Sequence, residues 1–507
     1  MTPVFDITRL RIDWQRIATR YLPFADAATP DLPLLRLLRL SLFQVTVGMV
    51  AALTVGTLNR VMIVELNVWA WLVALMVALP LVVAPLRALI GLRSDLHKSF
   101  LGWRRVPFIW GGTLLQFGGL AIMPFALVLL SGEAALQVWA GRIAAALAFL
   151  LVGAGAQTVQ TTGLALATDL ASAASRPRVV ALMYVMLLVG MVGSGLVFST
   201  LLAEYSHTRL VQVVQGAAVA TVLLNAMAMW KQEPRDAKRA QAAAVAKRQR
   251  AGSNATGAAA PGATTPPATF AQHWQQIATH GRGRRFLWAV GLGTLAFNMQ
   301  DVILEPYGGE VLGLAVGATT LLTGLMAGGA LLACGLAARW LARGSDPHAV
   351  AAWGAVVGLF AFAAVLLAAP LQWPMLFRAG ATLIGLGGGL FAVGTLTAAM
   401  GLERGTGLNG LVIGAWGAVQ ATCAGVAMAL GGTLRDAVGA LGQAGWLGEA
   451  LVGPATGYGF VYHLELLLLL ATLAVLGPLV RPAPQPAAAG SCEATERARF
   501  GLADLPG

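Results

Sequence analysis

Long apolar runs alternate along this chain with short polar interruptions rich in arginine. A helix crosses the hydrocarbon core of a bilayer with roughly 20 apolar residues. Runs of that length fall at about 40–64, 68–90, 106–130, 138–168, 178–202, 209–230, 286–304, 312–338, 349–369, 373–400, 407–431 and 458–479. The pattern predicts an all-α, polytopic membrane protein with twelve transmembrane helices. The fourth and tenth runs are long and the eleventh is glycine-rich, which predicts tilt or kinking. Pro80 and Pro85 fall inside the second run. A proline bends a helix by removing a backbone donor, and membrane bundles tolerate this when neighbours satisfy the freed group.

Two stretches depart from the pattern. Residues 4–22 place Ile7, Leu10, Trp14, Ile17 and Tyr21 on one helical face, with Arg9, Arg11, Asp13, Arg16 and Arg20 elsewhere. Such a helix lies in the membrane interface or packs, on the cytoplasmic side, against the bundle. Residues 235–269 run from Ala/Lys/Arg into Gly/Thr/Pro and have too little apolar surface to build a core. The chain therefore divides into an amphipathic segment (1–39), a six-helix half (40–230), a cytoplasmic linker (231–285), a second six-helix half (286–480) and a cytoplasmic tail (481–507).

The halves read as copies. The string from Trp14 to Arg20 is echoed from Trp274 to His280, and Gly56-Thr57-Leu58 by Gly293-Thr294-Leu295. Asn59 and Glu65 are matched by Asn298 and Glu305, Arg142 by Arg378, and Asp169 by Glu403, all in the same order. Duplicated halves with a site at their interface are the build of many secondary transporters.

Composition and charge agree with a lipid-covered chain. Hydrophobic residues make up 57% and charged residues 11% of the 507, against about a quarter charged in a soluble domain. With the N-terminus on the cytoplasmic side, 29 of the 34 Lys and Arg residues fall in cytoplasmic segments, which fixes both termini there by the positive-inside rule. The net charge of +12 is then accounted for by anionic headgroups, and no nucleic-acid partner is expected. Cys334, Cys423 and Cys492 form no CxxC pattern, so neither metal nor redox chemistry follows. The charged amphipathic start, without an apolar core stretch, predicts no cleavable signal. Phosphate-loop, nucleophile-elbow and zinc-protease motifs are absent, and no nucleophile–base set is visible, so the chain is not expected to be an enzyme.

Four polar motifs carry candidate chemistry. The first lies between runs two and three: Arg87, Gly91, Arg93 and Asp95, then Trp103, Arg104 and Arg105. It resembles the cytoplasmic-loop signature of the major facilitator superfamily. Its acid can pair with basic residues or with a helix N-terminus, and with Asp169 and Arg178 it makes a candidate latch between conformations. A purely topogenic basic loop is the alternative. The second is Asn59, Arg60 and Glu65 at the outer end of run one, read as an ion pair across the helix end or as interfacial snorkelling. The third is Asn298, Gln300, Asp301, Glu305, Pro306 and Tyr307 in run seven. Here Pro306 is expected to break the helix. Asp301 and Glu305 are four apart and expected to share a face, suited to a cation, a proton or a buried ligand; a re-entrant turn is the alternative. The fourth is Gln157, Thr158, Gln160, Thr161 and Thr162 in run four, a stripe suited to interhelical hydrogen bonds. Among six histidines only His463 falls within a run.

Together these strings resemble the PucC/LhaA group, the bacteriochlorophyll delivery family within the major facilitator superfamily. The matching stretches run from Phe43 to Gly48, Gly56 to Leu66, Trp71 to Pro85, Arg87 to Asp95, Leu101 to Pro107 and Gly111 to Pro124. They continue from Thr162 to Leu170, Arg176 to Gly190 and Gln300 to Gly313. The resemblance implies an assembly factor for light-harvesting antenna complexes in the inner or intracytoplasmic membrane of a purple phototrophic bacterium. It implies bacteriochlorophyll as the handled ligand. As partners it implies antenna polypeptides, the reaction-centre core complex and pigment-synthesis enzymes. The pigment is insoluble in water and its magnesium needs an axial ligand, so Gln157, Gln160, Asn298, Gln300 and His463 are the candidate ligands. A proton-coupled transporter using Asp301, Glu305 and Glu65, and a scaffold that binds no pigment, are the alternative functions.

Overall fold

In a computed structural model, residues 27, 32–82, 94, 103, 105–132, 135–172, 175–233, 281–406 and 411–480 are described. Residues 1–26 and 28–31 of the amphipathic segment, most of the 231–285 linker, the tail, and Pro85, Arg87, Gly91, Arg93, Asp95 and Arg104 lie outside them.

The helices are α1 (Leu34–Glu65), α2 (Ala70–Val82), α3 (Val106–Leu130), α4 (Ala135–Leu170), α5 (Arg176–Leu201) and α6 (His207–Met229). The second set is α7 (Gly283–Glu310), α8 (Val316–Ala342), α9 (Pro347–Ala368), α10 (Pro374–Thr406), α11 (Leu411–Gln443) and α12 (Ala455–Leu476). Among the described residues, eleven helices are long and apolar enough to cross a membrane. The remaining one, α2, is described over its first 13 residues only. The chain is a multi-pass, all-helical membrane protein.

Several ends differ from the apolar runs. Helix α1 opens at Leu34, before the apolar run itself begins, because Arg36 and Arg39 bond to Gln232 and the Trp230 carbonyl beyond α6. Helix α11 continues past residue 431 to Gln443. There Arg435 and Asp436 are engaged by other helices, so charge does not end the helix. Helix α7 does break, but not at Pro306. The break comes upstream, where Met299–Asp301 tightens into a 3-10 turn and a new helical piece starts at Leu304. Pro306 sits in the first turn of that piece, where a missing N–H leaves no partner short.

Packing repeats between the halves. Helix α1 lies against α5 and α6 as α7 lies against α11 and α12. Helix α3 lies against α4 and α6 as α9 lies against α10 and α12, and α2 against α4 as α8 against α10. Across the seam α2 packs on α11 and α5 on α8. Exchanging the two halves turns one of these contacts into the other, which is the geometry of a duplicated bundle. Small residues allow close approach across this seam: a Cβ on Gly195 of α5 would lie 2.7 Å from the Cα of Gly324 in α8.

Candidate functional site at the seam

The polar groups of run one are placed at the seam by an irregular helix. Within α1 the stretches Ala52–Leu58 and Val61–Glu65 are widened to π-type turns, a deviation that adds a residue per turn and often marks functional positions. It turns Gly56, Thr57, Asn59 and Arg60 toward the second half, all of them buried. The Thr57 and Thr320 hydroxyls meet at 3.2 Å, and Asn59 Nδ2 donates to the Val302 carbonyl at 2.7 Å. Arg60 donates to Glu65 Oε1 at 2.5 Å and to the Leu314 carbonyl at 3.2 Å. The expected Arg60–Glu65 pair therefore forms, and its arginine also holds the second half. Tyr205, between α5 and α6, lies beside this pair; burial, reinforced by the Glu65 carboxylate, pushes its phenol above the ordinary value.

The α7 motif divides at its break. Asp301 and Glu305 do not share a face as the four-residue spacing predicted, because the tightened turn between them changes the angular step. Glu305 points to the seam, where Thr323 Oγ1 of α8 donates to its Oε1 at 2.5 Å. Gly56 of α1 makes room for this contact: a Cβ there would sit 2.6 Å from Thr323 Oγ1 and overlap the Glu305 carboxyl. Asp301 instead accepts from Gln300 Nε2 at 2.5 Å and faces Glu465 of α12. Tyr307 is buried against Phe377, Tyr458 and Tyr462, with ring centroids 5.4–5.6 Å apart.

A second cross-half cluster flanks the first. Asp436 of α11 accepts the Trp71 N–H at the start of α2 at 2.8 Å, filling one of the orphan donors of that helix end. Arg435 bonds Asp436 and Glu310, and lies 4.6 Å from the Tyr458 ring centre. These contacts lie at the end of the bundle opposite the arginine-rich loops. There the Trp71–Asp436 bond joins the halves, while Arg435 ties Asp436 to Glu310 within the second half.

At the other end the described part of the latch is an ion pair. Arg105 Nε meets Asp169 Oδ2 at 3.1 Å and Arg105 Nη1 meets Ser94 Oγ at 2.7 Å. Glu233, beyond α6, accepts from the Arg105 and Val106 N–H groups at 3.1–3.2 Å and so caps α3. Trp103 and Arg178 are half-buried nearby in sequence.

The candidate pigment ligands are not gathered in one place. Gln157 and Gln160 are half-buried on α4, where the threonines of the stripe bond back to their own helix. Asn298 donates to the Thr294 carbonyl of its own helix, and Gln300 is fully buried. His463 is exposed on α12, in a stripe with Phe460, Leu467 and Leu470, opposite the buried face of Tyr458, Tyr462, Glu465 and Leu469.

Glu233, Glu310, Thr320, Thr323, Arg435, Asp436 and Glu465 complete these clusters and were missed from sequence. The signal existed for Glu465, an acid standing alone among the leucines of the last run. For the rest the partner is remote in sequence and nothing local marks it.

Comparison with known proteins places this arrangement. The profile of the family described as PUCC protein matches residues 57–483. Protein PucC of Rhodovulum sulfidophilum is 55% identical over 429 residues, covering 83% of this chain and 90% of that protein. The bacteriochlorophyll synthase 44.5 kDa chain of Rhodobacter capsulatus is 29% identical, covering 86% of this chain and 92% of its own. Among solved structures, a bacterial homologue of the iron transporter ferroportin in an inward-facing state superposes with a TM-score of 0.59 at 15% identity, covering 88% of this chain and 98% of that one. That likeness concerns the fold alone: the helices are arranged as in that transporter's bundle.

Proposed function

The chain belongs to the PUCC protein family, and on that premise we propose that it assists assembly of light-harvesting antenna complexes by holding bacteriochlorophyll for nascent antenna polypeptides. Its place is the inner or intracytoplasmic membrane of a phototrophic bacterium, with both termini cytoplasmic. It handles the pigment without transforming it. Family membership over most of the chain is the observation that carries this reading. The relative described as a bacteriochlorophyll synthase chain supports the choice of pigment.

Of the five candidate ligands, His463 suits a pigment that arrives through lipid. Its Nδ1 lies 2.7 Å from the Gly459 carbonyl. A carbonyl only accepts, so Nδ1 carries the proton and the neutral ring keeps its lone pair on Nε2. A backbone carbonyl that fixes the tautomer in this way is the usual support for a metal-ligating histidine. Phe460, 46% exposed, and Leu467, 62% exposed, flank it on the stripe and offer apolar contact to a macrocycle.

A deletion strain tests the proposal. Its antenna absorbance bands are expected to fall while reaction-centre content holds. Unchanged antenna bands would remove the assembly reading. Within the complemented strain, His463→Ala is expected to lower the pigment that co-purifies with the protein when antenna polypeptides are absent. Full pigment content in that variant would remove His463, and antenna polypeptides recovered with no extra pigment would favour a scaffold.

A further inference from the structure

Behind the seam, where α7 breaks, lies a group of oxygen atoms short of donors. Glu465 is 0% exposed, and neither carboxyl oxygen has a side-chain hydrogen-bond partner; its contacts are the Gln300 backbone and the Asp301 carboxyl. Gln300 is also 0% exposed. Its Nε2 is used on Asp301 and the Phe297 carbonyl, while its Oε1 has no partner.

Among the described residues, no positive charge answers these acids. Facing Glu465 from α7 are Gln300 and Asp301, and from its own helix Tyr462, which in turn meets Tyr307 and Tyr458. Helix α9 contributes Phe362, which packs on Tyr462. The cation of α11, Arg435, lies at the level of Tyr458, almost two helical turns along α12, and is occupied by Glu310 and Asp436. Arg60 is taken by Glu65. Two carboxyls held this close without a counter-ion incur a desolvation penalty and mutual repulsion that favour neutralising one of them. Among the described residues, no group of three or more His, Cys, Asp or Glu is disposed to hold a metal ion.

We propose that Asp301, Glu465 and Gln300 form a proton-binding site at the break in α7, with at least one carboxyl held as the neutral acid at neutral pH. Binding is the reversible addition of a proton from water to a carboxylate oxygen. The acid's O–H then gives a donor to carboxyl and amide oxygens that no cation answers, beside the Tyr462 hydroxyl, which is also buried without a partner. Asp301 keeps part of its surface open and is the point of entry, whereas Glu465 is sealed behind it. Loss of the proton sets two like charges against each other between α7 and α12. The turn that would loosen carries the Val302 carbonyl, which Asn59 of the other half grips.

Infrared spectroscopy of the purified full-length protein in lipid nanodiscs tests the site. At pH 7 the wild type is expected to show the C=O stretch of a protonated, buried carboxyl that moves to lower frequency in heavy water. Glu465→Gln and Asp301→Asn are each expected to remove or shift a component of that band. A wild-type spectrum without it, or one unchanged in both variants, overturns the proposal. So does a band that disappears when sodium chloride replaces a salt of a bulky organic cation, because a metal cation would then be the occupant. Should Glu465→Gln fail to fold, the wild-type band and its response to Asp301→Asn decide.

Discussion

Side chains at the seam show how one missing methyl permits a polar contact. Gly56 leaves the space in which Glu305 and Thr323 meet across the halves. Gly56→Val fills that space with atoms that cannot move aside, because the opposing groups are held by their own bond. Overpacking of this kind costs about 1–3 kcal/mol, so thermal unfolding of the purified variant is expected at a lower temperature than wild type. Gly118→Ala is the control: a Cβ there meets open space, and its unfolding should match wild type. Equal stability of all three proteins would mean that Glu305 and Thr323 are not held where the structure puts them. At this scale the sequence marked Glu305, Asp301 and Arg60 as out of place in an apolar helix. It paired Arg60 with Glu65 but could not assign the remaining partners, since Thr323 and Glu465 come from other helices and the Leu314 carbonyl from the loop between α7 and α8.

Helix α7 carries the lesson for elements. A proline in an apolar run suggests a break at the proline, but here the chain tightens at Met299–Asp301 and Pro306 only begins the next piece. The break owes its position to tertiary bonds: Asn59 takes the Val302 carbonyl from outside the helix. Pro306→Ala is therefore expected to leave the interruption in place. The change should cost less than about 1 kcal/mol, the scale at which proline acts through the unfolded chain. Unfolding of that variant in denaturant checks this, and a loss of several kcal/mol would assign the break to the ring after all. Apolar length similarly located α3 from Val106 to Leu130 at the predicted residues. It failed at the end of α11, where charged residues continue a helix because Tyr458, Glu310 and the start of α2 receive them.

For the molecule as a whole, the two halves meet through α2 with α11 and α5 with α8, and are bolted at the end opposite the basic loops. Thr57 and Thr320 approach to 3.2 Å between their hydroxyl oxygens. In a background with the three native cysteines replaced, Thr57→Cys with Thr320→Cys is expected to form a disulfide under mild oxidation. Cleavage at a protease site inserted in the 234–280 stretch should then leave the two halves joined on a non-reducing gel and separate on a reducing one. Halves that part under both conditions would mean that the seam is not closed at this end.

The sequence alone determined the all-helical membrane class and the family likeness. Both rest on properties that accumulate along the chain: apolar length and long matching strings. Tertiary structure decided which polar groups meet across helices. A buried acid is costly wherever it stands, so its isolation in an apolar run is legible locally, whereas the group that answers it is chosen by packing. Thus Glu305 finds Thr323, Asp301 faces Glu465, and Arg435 finds Glu310 through contacts that only the folded bundle creates.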